Sequence, residues 1–132
     1  MNEIMNHGSL KIVVVDDSDF SRSLIVKILR DAEFQVVGEA SSAGSALQVI
    51  KDKKPNVVIT DIVMPEVSGI ELAEMINQNY KDIYVIVVSS LSQEHVVLEA
   101  IGAGAADFIA KPISQQQLVE SLEKIISQMD KE

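Results

Sequence analysis

The sequence predicts an α/β fold, a doubly wound five-stranded parallel sheet with five helices. Three observations predict it. The apolar runs are short and rich in Val and Ile, as strands buried on both faces are. Each run is followed by a stretch with apolar residues at helical spacing. Five such pairs fill the chain with no linker, repeat or low-complexity block between them. Right-handed crossovers then restrict the possible topologies.

The elements follow in order. "KIVVVD" (11–16) is the first strand, β-branched and too short for a helix. "DFSRSLIVKILRDA" (19–32) is the first helix; Leu24, Ile25, Ile28 and Leu29 form its stripe, and Ser18 or Asp19 can cap it. "QVVGEA" (35–40) is the second strand. "AGSALQVIKDKK" (43–54) is the second helix, with Ala46, Leu47, Val49 and Ile50 inward. "NVVITD" (56–61), after Pro55, is the third strand, and "SGIELAEMINQN" (68–79) the third helix. "IYVIVVSS" (83–90) is the fourth strand and the most continuously apolar. "SQEHVVLEAIGAG" (92–104) is the fourth helix, ending at glycines suited to a C-cap. "ADFIAK" (106–111) is the fifth strand. "SQQQLVESLEKIISQM" (114–129) is the fifth helix, with Leu118, Leu122, Ile125, Ile126 and Met129 as its stripe.

Composition excludes several classes of function. The 132 residues suffice for one domain, and 47% hydrophobic residues can build its core. Only 4% are aromatic and none is Trp, so that core is aliphatic. A formal net charge of −9 lacks the basic footprint that nucleic acid or an anionic membrane surface requires. With no cysteine there is no disulfide, thiolate metal site or Cys nucleophile. No apolar run approaches the roughly 20 residues of a membrane span, and the first ten residues lack a secretory pattern. A soluble cytoplasmic protein is expected, with residues 1–9 as an N-terminal tail and 10–130 as the domain. His7-Gly8-Ser9 is assigned no role.

In open α/β sheets, ligands bind beyond the carboxyl ends of the strands. Asp16 and Asp17 end the first strand, Asp61 the third, Ser89 the fourth and Lys111 the fifth. If the first and third strands are neighbours, three carboxylates share one crevice. They repel and raise one another's pKa unless a cation compensates. Mg²⁺ suits such hard oxygen ligands and commonly pairs carboxylates with a phosphoryl group. Lys111 offers a point charge for a phosphoryl oxygen and Ser89 a short hydroxyl donor. Together these suggest phosphoryl chemistry with a carboxylate as acceptor. Singly, each feature has a plainer explanation. Paired acids at a strand end are usually caps or solvated turns, a lone Ser or Lys there is surface decoration, and Lys111-Pro112 can be a helix-start signal. All of them fall at one sheet edge after the right strands, and that outweighs the plainer readings.

"VVVDDSDFSR", "VVITDIVMPEVSGIEL", "IVVSS" and "GAADFIAKPI" together resemble the CheY-like receiver domain of two-component response regulators, over about positions 10–129. The resemblance implies strand order 2-1-3-4-5, the flavodoxin/CheY-like topology. It implies Asp61 as phosphoacceptor, charged by a histidine kinase of the CheA-like kind. It implies Mg²⁺ held by Asp17, with Asp16 assisting, and by Asp61 and the backbone carbonyl of Val63. Lys111 and Ser89 would contact the phosphoryl group. Ser89 and Phe108 would be the switch pair, although a Phe in an apolar strand is often plain core. Pro65 and Gly69 would shape the loop into the third helix, and the Lys111-Pro112 bond would be cis. Val63 and Leu91 occupy positions that govern phosphoryl lifetime in the family. Both are apolar here, which implies slow self-dephosphorylation. Phe108 stands where chemotaxis members often carry Tyr.

The expected output surface is the fourth helix, fifth strand and fifth helix. A stand-alone regulator is expected, with a flagellar-motor switch protein as the favoured output partner and a phosphatase as a further candidate. A receiver fragment of a longer regulator, or a phosphorelay intermediate, is the alternative. Other classes fit less well. A Mg²⁺-dependent aspartyl-nucleophile phosphatase wants a second Asp two residues after the first, and Val63 is there. A flavodoxin needs a Ser/Thr/Gly phosphate loop, and "DDSDF" repels phosphate without a metal. A pseudo-receiver would lack an acid or the lysine.

Overall fold

The computed structural model describes residues 7–130. Five strands alternate with five helices: β1 (Lys11–Val15), α1 (Asp19–Asp31), β2 (Gln35–Ala40), α2 (Ala43–Lys53), β3 (Val57–Asp61), α3 (Gly69–Asn79), β4 (Tyr84–Ser89), α4 (Glu94–Gly102), β5 (Asp107–Ala110) and α5 (Gln115–Asp130). The strands form one parallel sheet in the order β2-β1-β3-β4-β5. This is the expected topology, with the first and third strands adjacent.

Strand side chains alternate between two faces, so each central strand feeds two cores. Val13, Val15, Val58, Val85 and Val87 face α2, α3 and α4. Ile12, Val14, Val57, Ile59, Ile86 and Val88 face α1 and α5. Both sets are buried, which explains why these strands read as unbroken apolar runs. The helices supply Ala43, Ala46, Ile50, Leu72, Ala73 and Ile76 to the first core, and Ile25, Leu29, Leu118, Leu122 and Ile125 to the second.

Four helices begin at a serine whose hydroxyl accepts an amide N–H three residues on: Ser18 from Ser21, Ser42 from Ser45, Ser68 from Glu71 and Ser114 from Gln117. In α3 Glu71 returns the contact to the Ser68 amide, closing a capping box. α4 differs. Its cap residue Gln93 makes no side-chain contact, and the helix starts at Glu94 rather than 92. It also stops at Gly102. The left-handed turn after it is at Gly104, with φ 98°, a conformation that only glycine adopts without strain.

The stripe of α1 is shifted from the expected one. Leu24 is 45% exposed, and Val26 occupies the core instead. Leu24 and Phe20 lie one turn apart on a surface groove that also includes Ile28 and Ile113. The tail assigned to residues 1–9 is also partly structured. Positions 1–6 lie outside the described residues, but His7–Ser9 form a 3₁₀ turn. The His7 ring stacks on Phe34 at 3.9 Å between centroids, with its nitrogens 2.8 Å from the Ala32 carbonyl and 3.1 Å from the Glu123 carboxylate.

Ile59 is fully buried at the centre of the sheet. Ile59→Ala is expected to cost about 2–5 kcal/mol in urea denaturation, from lost transfer energy plus the cavity left behind. Leu98→Ala, on the exposed face of α4, is expected to stay within about 0.5 kcal/mol of wild type.

Candidate functional site

Strand parity places the charged groups. Asp16 continues the phase of Ile12 and Val14, Asp61 that of Val57 and Ile59, and Lys111 that of Ile109. All three side chains therefore emerge at the carboxyl edge of the sheet on its α1/α5 side. β1 and β3 are direct neighbours, with Val15 opposite Thr60, so Asp16 and Asp61 end adjacent strands. Asp17 follows Asp16 into the loop and is exposed.

The three carboxylates converge. Oxygens of Asp16, Asp17 and Asp61 lie within 4.8 Å of one another. Asp16 is fully buried, and its Oδ1 accepts the Ser18 amide at 2.9 Å. Asp61 accepts the Ile62 amide at 2.9 Å, and Thr60 donates its hydroxyl to the Asp61 carbonyl at 2.9 Å. Lys111 crosses the crevice from the end of β5. Its Nζ is 2.9 Å from Ser21 Oγ, 3.3 Å from Asp16 Oδ2 and 3.6 Å from Asp61 Oδ2.

One ammonium does not neutralise three acids. Burial raises the Asp61 pKa above the ordinary 3.8, Lys111 pulls it down, Asp16 and Asp17 push it up, and the Ile62 amide opposes them; the net direction is upward. This donor set fits a small hard cation. Three carboxylate oxygens so spaced can meet an ion that takes oxygen ligands at about 2.0–2.1 Å and completes its shell with water or phosphoryl oxygen.

The remaining expected residues surround this centre. Ser89 is fully buried at the end of β4, in phase with Val85 and Val87 on the opposite face of the sheet. Its hydroxyl accepts the Leu91 amide at 2.9 Å, and its carbonyl accepts the Lys111 amide at 2.9 Å. Ser89 is thus tied to Lys111 through backbone, while its hydroxyl is held by its own loop. Phe108 pairs with Val87 across β4–β5 and is half-buried against the α3/α4 core. Val63 and Leu91 are exposed. Pro65 is exposed in the loop leading to α3, and the Lys111–Pro112 bond is cis. Gly69 has a steric reason to be glycine. A Cβ there would collide with the Asp61 carbonyl, and the Gly69 amide donates to the Ile62 carbonyl at 2.8 Å. The start of α3 is thereby packed directly against the backbone that carries Asp61.

Two contributors carry weak signals or none in the sequence. Arg22 is mostly buried. It donates to the Asp16 carbonyl at 2.8 Å, to Asp19 at 2.7 Å and to Glu39 on β2 at 3.1 Å. It clamps the acidic loop to the neighbouring strand, and the Asp19 hydrogen bond, with burial opposing and Glu39 helping, raises its pKa. The Asp19/Arg22 spacing is a recognisable helical ion pair, but Glu39 and the Asp16 carbonyl are not foreseeable from it. Ser21, the nearest partner of Lys111, is one of three serines in "SDFSRS" (18–23) and carries no distinguishing mark.

Comparison with known proteins agrees with this geometry. Residues 12–123 match the response regulator receiver domain family. The chain is 38% identical over 115 residues to the chemotaxis protein CheY of Thermotoga maritima, covering 87% of this chain and 96% of that one. It is 37% identical over 117 residues to the chemotaxis protein CheY of Bacillus subtilis, covering 89% and 98%. Among solved structures, a CheX-CheY-BeF3-Mg complex from Borrelia burgdorferi matches with a TM-score of 0.83 and 26% identity, over 88% of each chain.

The electrostatics of Asp61 predict a stability effect with a definite sign. Its pKa is raised in the folded state, so the folded chain holds the proton more tightly than the unfolded one. That stabilisation is complete below the ordinary aspartate value, about 3.9, and is lost as pH rises through the raised value. In metal-free protein at pH 7, Asp61→Asn is therefore expected to melt above wild type. Melting curves across pH should show the gap closing below about pH 3.9. Adding Mg²⁺ at pH 7 should narrow it by stabilising wild type.

Proposed function

This chain belongs to the response regulator receiver family, and we propose that it is a signalling switch thrown by phosphorylation of Asp61. The observation that carries this reading is the close set of Asp16, Asp17 and Asp61 with the Lys111 ammonium 3.6 Å from Asp61. Nucleophile, cation ligands and phosphoryl-binding charge are then assembled at one sheet edge.

In this reading Asp61 attacks the phosphorus of a phosphohistidine on a histidine kinase. A P–O bond to Asp61 forms as the P–N bond breaks, and the imidazole leaves with the electron pair and takes up a proton. Lys111 meets the charge on the phosphoryl oxygens. Asp17, Asp61 and the Val63 carbonyl, with Asp16 assisting, would hold Mg²⁺, which supplies charge neutralisation to both the carboxylates and the phosphoryl group. The chain itself is a substrate and a switch, not a classical enzyme.

The readout follows from packing. A phosphoryl group on Asp61 adds acceptor oxygens that draw the Ser89 O–H donor, while the Ser89 oxygen accepts the Leu91 amide. Moving Ser89 shifts the loop that leads into α4. α4 is the helix most easily moved: it has nine residues, no side-chain cap, and only Val96 and Ala100 buried. Phe108, opposite Val87 on β5, follows that movement. α4 also exposes Leu98 and Ile101, which suits the α4-β5-α5 surface to a protein partner. The T. maritima and B. subtilis relatives are named as chemotaxis proteins, which favours a flagellar-motor switch protein as output. The B. burgdorferi complex pairs CheY with CheX, BeF3 and Mg, and that supports both Mg²⁺ and a second protein as partners here.

Two outcomes test this. Incubation with Mg²⁺ and acetyl phosphate should add one phosphoryl group to wild type by intact mass, and none to Asp61→Asn or to wild type in chelator. Wild type that stays unmodified by acetyl phosphate and also fails to bind beryllofluoride would remove Asp61 as acceptor. The second concerns lifetime. Val63 and Leu91 are exposed beside the crevice and offer no hydrogen bond to an attacking water. The double variant Val63→Asn, Leu91→Glu is expected to lose its phosphoryl group about 10-fold faster, equivalent to about 1.4 kcal/mol in the barrier. Equal decay rates would count against a role for these side chains.

A further inference from the structure

Lys111 approaches Ser21 more closely than it approaches either carboxylate. The Nζ–Oγ separation is 2.9 Å, against 3.3 Å to Asp16 and 3.6 Å to Asp61. An ammonium has three N–H donors; Lys111 donates to Ser21 Oγ and to Asp16 Oδ2, and Asp61 Oδ2 lies just beyond hydrogen-bond reach. Ser21 is not a freely rotating surface serine. It is the third residue of α1, its own amide is bound by the Ser18 cap at 3.2 Å, and its side chain is partly buried against the Lys111 stem. The cap at the end of the Asp16–Asp17 loop therefore also fixes the backbone that carries the Ser21 hydroxyl.

We infer that Ser21 is a positioning residue for phosphoryl transfer, tethering the Lys111 ammonium toward α1 so that it does not close onto Asp61. This rests on the assignment of Asp61 as acceptor. Held by Ser21, the ammonium stands beside the acceptor carboxylate at a distance that leaves an Asp61 oxygen open to phosphorus. Without the hydroxyl, the two remaining partners of Lys111 are both carboxylates. The ammonium then settles against Asp61 as a direct ion pair, which both covers the nucleophilic oxygen and lowers its reactivity. Pre-organisation of this kind acts on rate more than on stability.

The test compares wild type, Ser21→Ala and Ser21→Thr. With acetyl phosphate and saturating Mg²⁺, Ser21→Ala is expected to be phosphorylated about 10-fold more slowly, and Ser21→Thr, which keeps the hydroxyl, to recover most of that loss. Calorimetric Mg²⁺ affinity and the melting temperature should be nearly unchanged in Ser21→Ala, since Ala is a good helix former and the serine is no carboxylate ligand. In metal-free protein, the Lys111 ammonium resonance, assigned by its loss in Lys111→Met, should shift in Ser21→Ala and return toward wild type in Ser21→Thr. Equal phosphorylation rates for wild type and Ser21→Ala would overturn the inference while leaving Asp61 as acceptor intact. So would a loss of rate that Thr does not restore and that tracks a matching loss of Mg²⁺ affinity, because the effect would then come from the acidic loop. If wild type is not phosphorylated at all, the Asp61 reading fails separately, and an unshifted Lys111 resonance would then overturn the tether by itself.

Discussion

Three carboxylates share one crevice with one ammonium, and much of the local structure serves to hold that arrangement. Left alone, Asp16, Asp17 and Asp61 would push the ends of β1 and β3 apart. Asp16 and Asp61 are restrained by backbone amides and by a neighbouring cation. The Ser18 amide and Lys111 hold Asp16. The Ile62 amide holds Asp61, and Thr60 and Gly69 fix the peptide behind it. Arg22 ties the whole β1–α1 loop to β2 through Glu39. Burial first, and with it the residual repulsion from Asp16 and Asp17, raises the pKa of Asp61. A cation relieves a site stressed in this way, and a phosphoryl group adds to its negative charge.

The aliphatic cores make that stress tolerable. Val and Ile pack both faces of β1, β3 and β4 at full burial, so the strand ends do not drift. The stability needed to keep like charges together resides far from the charges themselves. The parts that hold the acids are the capped α1 and α3, whereas α4, the readout element in the proposed function, has a bare cap and two buried residues. Ser89 joins the two regions, because its carbonyl binds the Lys111 amide and its hydroxyl binds the loop entering α4. Stiff scaffold on one side and a lightly anchored helix on the other is the mechanical requirement of a two-state device.

Much of this was legible in the sequence. Five apolar runs, each with its amphipathic partner, determined the strands and helices to within a residue or two; burial on both faces leaves the central strands β1, β3 and β4 few polar positions, while the edge strands β2 and β5 are only partly buried. The acids, the serine and the lysine were placed at one edge by their positions at strand ends and by the rule that sites form at carboxyl ends. Errors fell where local pattern is silent. Leu24 fitted the α1 stripe but faces solvent, because Val26 fills the core position. α4 was drawn too long, because nothing in "LSQEH" marks where an uncapped helix begins. His7–Ser9 looked like tail, since only the distant Phe34 and Glu123 give His7 a place.

The sequence by itself determined that Asp16, Asp17, Asp61 and Lys111 meet in one crevice and which strand ends carry them. Only the tertiary structure decided how they are held. The Arg22 clamp spans two strands, the Gly69 contact joins the start of α3 to the end of β3, and the Ser21–Lys111 contact joins residues 90 positions apart. Periodicity along a chain reports which face a residue occupies. It does not report distances between elements, and hydrogen bonds and steric exclusions depend on distance alone.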